Sequence, residues 1–262
     1  MFTILSSANR SFGQNLTVSF SYESPPARVM DALEQAVLSV DLILRDPPHD
    51  IDLMETTDQG MAYEVTIHTA TRAEGEEAAT LFFRRLWYIC AREGLQFSGA
   101  VNRKYRGAGV PALRREEIVE ALAATSIFLP SAAGFEELAA SAKLCLFDDG
   151  EKVLSVGEAF NKMHRVVDGS LGVTRDGSGR ARTLQHVGQG EFFVTRAFLT
   201  SAPASTALIA DGETMAIRLD ALRVTAFLNE NPHLARLFEN AIDSSEGGLA
   251  MAAPERRLTA MR

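Results

Sequence analysis

Two stretches of strict alternation, each followed by a helical repeat, most constrain what this chain can fold into. Leu16 to Tyr22 and Met61 to Ile67 alternate apolar with polar residues, which predicts strands buried on one face. Ser24 before Pro25 and Pro26 is typical of a helix start. The resulting order of elements predicts a ferredoxin-like αβ unit. Its elements are expected at 16–22, 51–55, 61–67 and 95–97 for the strands, and at 25–40 and 75–93 for the helices.

The composition and periodicity of the sequence change after residue 102. Asn102 to Gly109 is charged and rich in glycine and has no apolar period, which predicts a linker. The basic residues there fit a solvated linker or a contact with anionic lipid headgroups, and the small charge favours the linker. After helices at 113–124 and 135–144, short apolar segments separated by glycines predict a β-roll or jelly roll closed by two helices around Pro232. The predicted α+β chain comprises an αβ domain at 1–101, a linker at 102–110, the second domain at 111–243 and a loose tail at 244–262.

Composition excludes several classes of protein. The chain has 262 residues, 46% of them apolar, so it can bury a core. Its net charge of −8 argues against a nucleic-acid binder, which needs a basic surface. Two cysteines can build neither a disulfide framework nor a four-ligand zinc site. No stretch approaches the length of a bilayer span, so we expect a cytoplasmic protein.

Catalytic motifs are missing from the sequence. The five histidines are scattered without metal-ligand spacing, and no Walker A sequence or nucleophile elbow occurs. Gly188-Gln189-Gly190 does not extend to a dinucleotide-binding loop, because residue 193 is Phe. We therefore expect a protein that is not an enzyme and has no metal site.

The most informative stretch runs from Gly190 to Leu199 and continues through Pro203 to Ala207. A glycine, aromatic residues, a short helical turn and a strand would place backbone N–H groups at a helix start, where a phosphate can bind. The alternative is a tight turn that packs its large side chains in a barrel core, and spacing alone favours that alternative. Those side chains are Phe192, Phe193, Phe198 and Leu199.

The second half resembles a cyclic-nucleotide-binding domain over roughly residues 111–243. The resemblance is carried by the segments 147–151, 156–158, 166–171 and 190–193. It implies turn glycines with unusual backbone angles at Gly150, Gly157 and Gly169. It also implies a phosphate-binding cassette at 190–207, with cAMP or cGMP as a regulatory ligand and no other cofactor. The candidate ligand-binding residues are Gly190, Phe192, Phe193, Val194, Thr195, Arg196, Ala197, Ala204, Ser205 and Thr206.

Three positions of the cassette depart from the family pattern. The family has Gly-Glu where this chain has Val194-Thr195, and that Glu binds the ribose 2′-hydroxyl. The family has an arginine for the cyclic phosphate where this chain has Ala204. A charge-assisted hydrogen bond contributes about 1.5–3 kcal/mol, so the missing arginine should weaken binding by roughly tenfold to a hundredfold or more. Thr195 and Arg196 are the candidate substitutes for the ribose and phosphate contacts.

The first half resembles the cytoplasmic αβ domain of small-conductance mechanosensitive channels over roughly residues 10–100. The segments 18–25, 44–48, 63–65 and 92–97 carry the resemblance. Followed by a cyclic-nucleotide-binding domain, this is the layout of bacterial cyclic-nucleotide-gated members of that superfamily. The resemblance implies a homo-oligomer, a sevenfold ring beneath the membrane, and a channel pore region or membrane subunit as partner. Pore helices do not precede the matched region, so we expect a fragment of a channel subunit or a soluble protein derived from one.

The leading hypothesis is a regulatory and assembly module of a mechanosensitive-type channel, cytoplasmic or at the inner face of the membrane. Ligand binding would shift its population between two states. The alternative is a structural or interaction module with a degenerate pocket. Val194-Thr195 and Ala204 favour the alternative, and Gly190 to Phe193 favour the sensor. A transcription regulator would need a helix-turn-helix after Asp243, where only about 20 residues remain, so that class is rejected.

Overall fold

Two compact units make up the chain, Met1–Pro111 and Ala112–Arg262. The computed structural model describes residues 5–6, 11–58, 60–98, 115–125, 127–175, 183–243 and 249–250. The linker predicted at 102–110 lies outside the described residues. Helices and strands both contribute to each unit, so the class is mixed α and β.

The first unit is an antiparallel sheet with two helices packed on it. Its elements are β1 (Leu5–Ser6), β2 (Phe12–Phe20), α1 (Pro26–Leu38), β3 (Asp50–Thr57), β4 (Gly60–Thr69) and α2 (Arg72–Glu93), and the sheet order is β1-β2-β4-β3. The longest pairing joins β2 to β4, from Phe12 opposite Thr69 to Phe20 opposite Met61. Tyr63 and Phe20 lie in the core between sheet and helices, with ring centroids 5.8 Å apart in an edge arrangement. The apolar residues of the two alternating stretches therefore face this core, and the polar residues between them face the opposite side of the sheet.

Local signals set both ends of α2. The Thr71 hydroxyl accepts a hydrogen bond from the Glu74 N–H at 3.2 Å, and the Glu74 carboxylate accepts one from the Thr71 N–H at 3.2 Å. This capping box starts the helix at Arg72, three residues before the start expected from apolar spacing. Gly94 ends it at φ +66°, a left-handed conformation that glycine adopts at little cost.

Two expectations for the first unit need correction. The strand predicted at 95–97 is reduced to a single bridge between Phe97 and Phe20. Ser24 does not cap α1, since the cap residue is Pro25 and no side chain caps it. Ser24 is buried, and its hydroxyl accepts a hydrogen bond from the Gln96 N–H at 2.8 Å. The serine thus holds the chain that follows α2, a long-range role that local spacing does not reveal.

The second unit is a β-roll with flanking helices. Its elements are α3 (Arg115–Ala123), α4 (Phe135–Ser141), β5 (Lys143–Phe147), β6 (Lys152–Leu154), β7 (Lys162–Thr174), β8 (Gln185–Val187), β9 (Phe193–Val194), α5 (Arg196–Thr200), β10 (Ala207–Asp220), α6 (Ala221–Glu230), α7 (Pro232–Asp243) and β11 (Leu249–Ala250). The main sheet has the order β5-β10-β7-β8, and β6 also pairs with β10. An aromatic core fills the roll, and among the described residues no helix of either unit is long and apolar enough to cross a membrane.

The second unit has fewer and longer strands than its sequence pattern suggests. β7 and β10 are each one strand where the sequence shows two short apolar segments. The two strands pair with each other over most of their length. Register shifts between Asp211 and Ala216, together with Gly169 at φ +81°, bend the ladder without ending it. The helix predicted at 135–144 ends at Ser141, because Lys143 to Phe147 pair with β10 as β5.

Candidate functional site

The cassette, residues 190–207, begins with a turn fastened to β7. The Gly190 N–H donates to the Val166 carbonyl at 2.9 Å, and the Val166 N–H donates to the Glu191 carbonyl at 2.9 Å. The Glu191 carboxylate accepts a hydrogen bond from the Gly188 N–H at 2.9 Å, which closes the turn. Gly190 lies at φ +85°, so this position favours glycine. The start of the cassette is therefore held rigidly by backbone bonds on both sides.

The aromatic residues of the cassette belong to the core. Phe192, Phe193 and Val194 are essentially fully buried. The Phe193 ring stacks on Phe160 with centroids 6.0 Å apart, and Phe192 lies 6.1 Å from Phe128. These side chains act as the core-packing alternative predicts, so only their backbone groups are suited to contact a polar ligand.

The helix of the cassette is one short turn. α5 has five residues, and Thr195 precedes it in an extended conformation without a side-chain capping bond. The Thr195 carbonyl accepts the Phe198 N–H at 3.0 Å, and Ala197 is half-buried beside it. A helix of five residues aligns few peptide dipoles, so its field at a bound anion is small, and the phosphate contact at this turn stays a prediction. The side chain of Arg196 lies outside the described part of the structure.

Residue 204, where the family has its arginine, makes only contacts within the protein. Ala204 is buried, its N–H donates to the Glu158 carbonyl at 2.8 Å, and its carbonyl accepts the Gly157 N–H at 2.8 Å. Ser205 next to it is exposed, and Thr206 is buried at the start of β10. Ala204 therefore offers a ligand neither a side chain nor a backbone group, and its role is to tie the cassette to the 157–158 turn.

The predicted turn glycines all have positive φ angles. Gly150 has φ +68°, Gly157 +83° and Gly169 +81°. The Gly150 N–H also donates to the Ala210 carbonyl at 2.8 Å, which fixes the turn between β5 and β6 against β10. A side chain at any of the three would strain the backbone.

The cassette contacts the closing helices through one aromatic pair. The ring centroids of Phe198 in α5 and Phe238 in α7 lie 6.5 Å apart. Asn231 joins α6 to α7, and its amide donates hydrogen bonds of 2.8 Å to the carbonyls of Ala133 and Phe227. A displacement of α5 would therefore be felt directly by α7.

The tail predicted to be loose at 244–262 includes a paired segment. Leu249 lies opposite Val194 and Ala250 opposite Phe193, so β11 forms an antiparallel ladder with the cassette strand β9. The pairing satisfies backbone groups that β9 would otherwise present at an edge. The other residues of the tail lie outside the described part of the chain.

One charged residue near the cassette escaped the sequence analysis. Arg165 in β7 lies opposite Ile217 and forms a bridge with Phe192. It is only 7% exposed, and its Nε atom has no hydrogen-bond partner. Burial lowers the pKa of its guanidinium. In the sequence Arg165 is visible only as the charged residue directly before Val166-Val167, and only the fold shows what surrounds it.

Side chains of metal-ligating type also occur across the described part of the chain. That part contains no group of three or more histidine, cysteine, aspartate or glutamate side chains arranged to hold a metal ion. Cys90 and Cys145 are buried and not joined in a disulfide.

Comparison with known families finds a match within the second unit. Residues 145–231, about a third of the chain, match the family described as "Cyclic nucleotide-binding domain". This part of the chain is a cyclic nucleotide-binding domain. No curated protein matches the chain.

Several solved structures are similar at low identity. The sensor domain of the transcriptional regulator DNR from Pseudomonas aeruginosa is 18% identical with a TM-score of 0.44, over 50% of this chain and 89% of that chain. The regulatory domain of Toxoplasma gondii PKA, crystallised with cAMP, is 14% identical with a TM-score of 0.42, over 70% of this chain and 62% of that chain. The C-linker/CNBHD of zELK channels, crystallised in the presence of cAMP, is 17% identical with a TM-score of 0.42, over 52% of this chain and 71% of that chain.

Proposed function

We propose that the second unit is a regulatory domain that senses a small phosphate-bearing ligand of the cyclic nucleotide class. The observation that carries this proposal is the family match at residues 145–231, which includes the glycine turns and the cassette. The protein would act by changing conformation on binding and would catalyse no reaction.

The mechanism would be a population shift. A ligand seated against the cassette would favour one position of α5, and the contact between Phe198 and Phe238 would pass that preference to α7. The ligand can shift the equilibrium only by its differential affinity for the two states. Coupling of about 1–3 kcal/mol is typical of such sites.

Restoring the family residues tests this proposal. We would titrate cAMP, cGMP and, as a linear control, 5′-AMP into the protein and into the double variant Thr195→Glu, Ala204→Arg by calorimetry. We expect saturable binding of a cyclic nucleotide at micromolar to millimolar concentration, tightened about tenfold to a hundredfold by the double variant. The variant Leu222→Arg places the same charge on an exposed residue of α6, outside the candidate ligand-binding residues, and should not tighten binding. No binding by either form, with circular dichroism unchanged, would refute the proposal.

A structural module with no ligand is the second candidate. The observation that favours it is Ala204, whose side chain is too short to reach a phosphate and whose N–H and carbonyl are both committed to the 157–158 turn. In this case the double variant would also fail to bind cyclic nucleotide.

We further propose that the first unit is a ferredoxin-like assembly domain of a mechanosensitive-type channel. The neighbouring order of β2, β4 and β3, with the Phe97 bridge on the other side of β2, supports the ferredoxin-like part. The resemblance of residues 10–100 supports the channel part, a cytoplasmic location beneath the membrane and a homo-oligomeric ring with a pore subunit as partner. Native mass spectrometry tests the ring, since seven copies are expected and a monomer at micromolar concentration would contradict it.

A further inference from the structure

The starting point is a buried positive charge without a counter-charge. Arg165 is 7% exposed, its Nε atom has no hydrogen-bond partner, and no ion pair joins it to an acidic side chain among the described residues. Burial disfavours its charged form and lowers its pKa, yet an arginine side chain stays protonated at neutral pH. A buried charge is normally paired, because desolvation without a partner costs several kcal/mol. The fold therefore holds a cation whose partner is not in the described chain.

The nearest acidic residue of the cassette does not satisfy this cation. Glu191 follows Gly190 directly, but its carboxylate accepts the Gly188 N–H at 2.9 Å and makes no ion pair with Arg165. The Glu191 carboxylate therefore serves the turn and does not neutralise the arginine.

Arg165 stands at the start of the cassette. A Cβ atom placed on Gly190 would lie 3.7 Å from the Nη2 atom of Arg165. Because that position is glycine, residue 190 places no side chain of its own against the guanidinium. The bridge between Arg165 and Phe192 fixes the arginine backbone against the cassette strand. A planar guanidinium with two parallel N–H groups matches the oxygens of a phosphate.

We propose that Arg165 binds the phosphate of the ligand, in place of the cassette arginine that position 204 lacks. This inference rests on the proposed function and names the residue that makes the anionic contact. The cation would then come from the β7 strand and not from the cassette. An anion there would supply the counter-charge that the described chain does not.

The test compares Arg165→Met with Arg175→Gln. Methionine keeps an extended apolar side chain and removes the charge, and Arg175 is an exposed arginine just after β7 that serves as the charge-matched control. Two probes are used, cAMP by calorimetry, and inorganic phosphate by thermal unfolding against chloride at equal ionic strength. We expect Arg165→Met to lose about tenfold to a hundredfold in cAMP affinity and to lose the stabilisation by phosphate. We expect Arg175→Gln to keep both, and the ligand-free Arg165→Met protein to be at least as stable as the parent.

The outcomes separate this inference from the proposed function. Unchanged cAMP affinity in Arg165→Met would overturn the inference and leave the proposed function standing. Phosphate stabilisation that depends on Arg165, with no binding of cAMP or cGMP, would support the inference and overturn cyclic nucleotide sensing. No response of the parent protein to either probe would overturn both. Should Arg165→Met fail to fold, Arg165→Lys decides, since lysine lacks the planar fork and should lose about tenfold in affinity; equal affinity would overturn the inference.

Discussion

Replacing Gly169 by alanine should weaken the second unit far more than the same change at Gly157. Both glycines have nearly the same left-handed conformation, with φ +81° and +83°. Their surroundings differ. A Cβ on Gly169 would lie 2.6 Å from the Glu213 carbonyl oxygen and 3.0 Å from the Thr214 Cα, whereas a Cβ on Gly157 would meet no atom within 4 Å. The pair separates backbone strain from steric overlap.

The magnitudes follow from these two terms. The left-handed conformation costs an alanine about 1–2 kcal/mol at either position. The overlap with backbone atoms of β10 adds about 1–3 kcal/mol at Gly169 only, because the ladder between β7 and β10 must move. Gly157→Ala should therefore cost about 1–2 kcal/mol and Gly169→Ala about 2–5 kcal/mol. With a urea m-value of about 2 kcal/mol/M, the midpoint falls by about 0.5–1 M and 1–2.5 M, respectively.

Urea unfolding followed by far-UV circular dichroism measures both shifts. The single tryptophan, Trp87, lies in the first unit, so its fluorescence follows that unit in the same titration. Equal midpoint losses for the two variants would refute the reasoning, because the crowding around Gly169 would then have no energetic consequence. A parent-like midpoint for Gly169→Ala would refute the assigned turn as well.

Three further predictions concern other parts of the chain. Thr71→Ala removes the capping box of α2 and should lower the unfolding free energy of the first unit by about 1 kcal/mol, read from Trp87 fluorescence; no change would contradict the cap. Burial raises the pKa of the Cys90 thiol to about 12, so at pH 8 only about one molecule in 10⁴ carries the thiolate. Alkylation of the folded protein should be slow and should rise about tenfold per pH unit, and rapid labelling at pH 8 would contradict this burial. Removing residues 244–262 unpairs β9 from β11, so the Val194 segment should exchange its amide hydrogens faster, and unchanged exchange would refute the pairing.

Local periodicity predicted the parts of the fold that depend on local structure. β2 and β4 and both helices of the first unit follow from alternation and apolar spacing, because one face of each is buried in the same core. The strand at 95–97 could not be judged in this way, since it pairs with β2 through one bridge and depends on where the chain returns. β7 and β10 read as pairs of short strands, because bulges interrupt alternation without interrupting hydrogen bonding.

In the candidate site, too, local features could be predicted from the sequence and long-range contacts could not. The cassette and its missing glutamate and arginine are visible in the sequence at Val194-Thr195 and Ala204. The sequence does not show that the backbone of Ala204 is held by the 157–158 turn, because that contact spans more than forty residues. Arg165 is also visible as a residue, but its burial depends on β10 and the Phe192 segment, which pair with it from distant parts of the chain.

Hydrogen exchange with and without ligand tests the central claim most directly. The protein is incubated with cAMP at millimolar concentration, and amide exchange is compared with that in 5′-AMP. A sensor domain should gain protection in the cassette at 190–207 and change its exchange in α7 (Pro232–Asp243), because Phe198 and Phe238 join the two. Cassette protection without any change in α7 would contradict the proposed coupling. Identical exchange in both nucleotides throughout the second unit would contradict the claim that this domain senses a cyclic nucleotide.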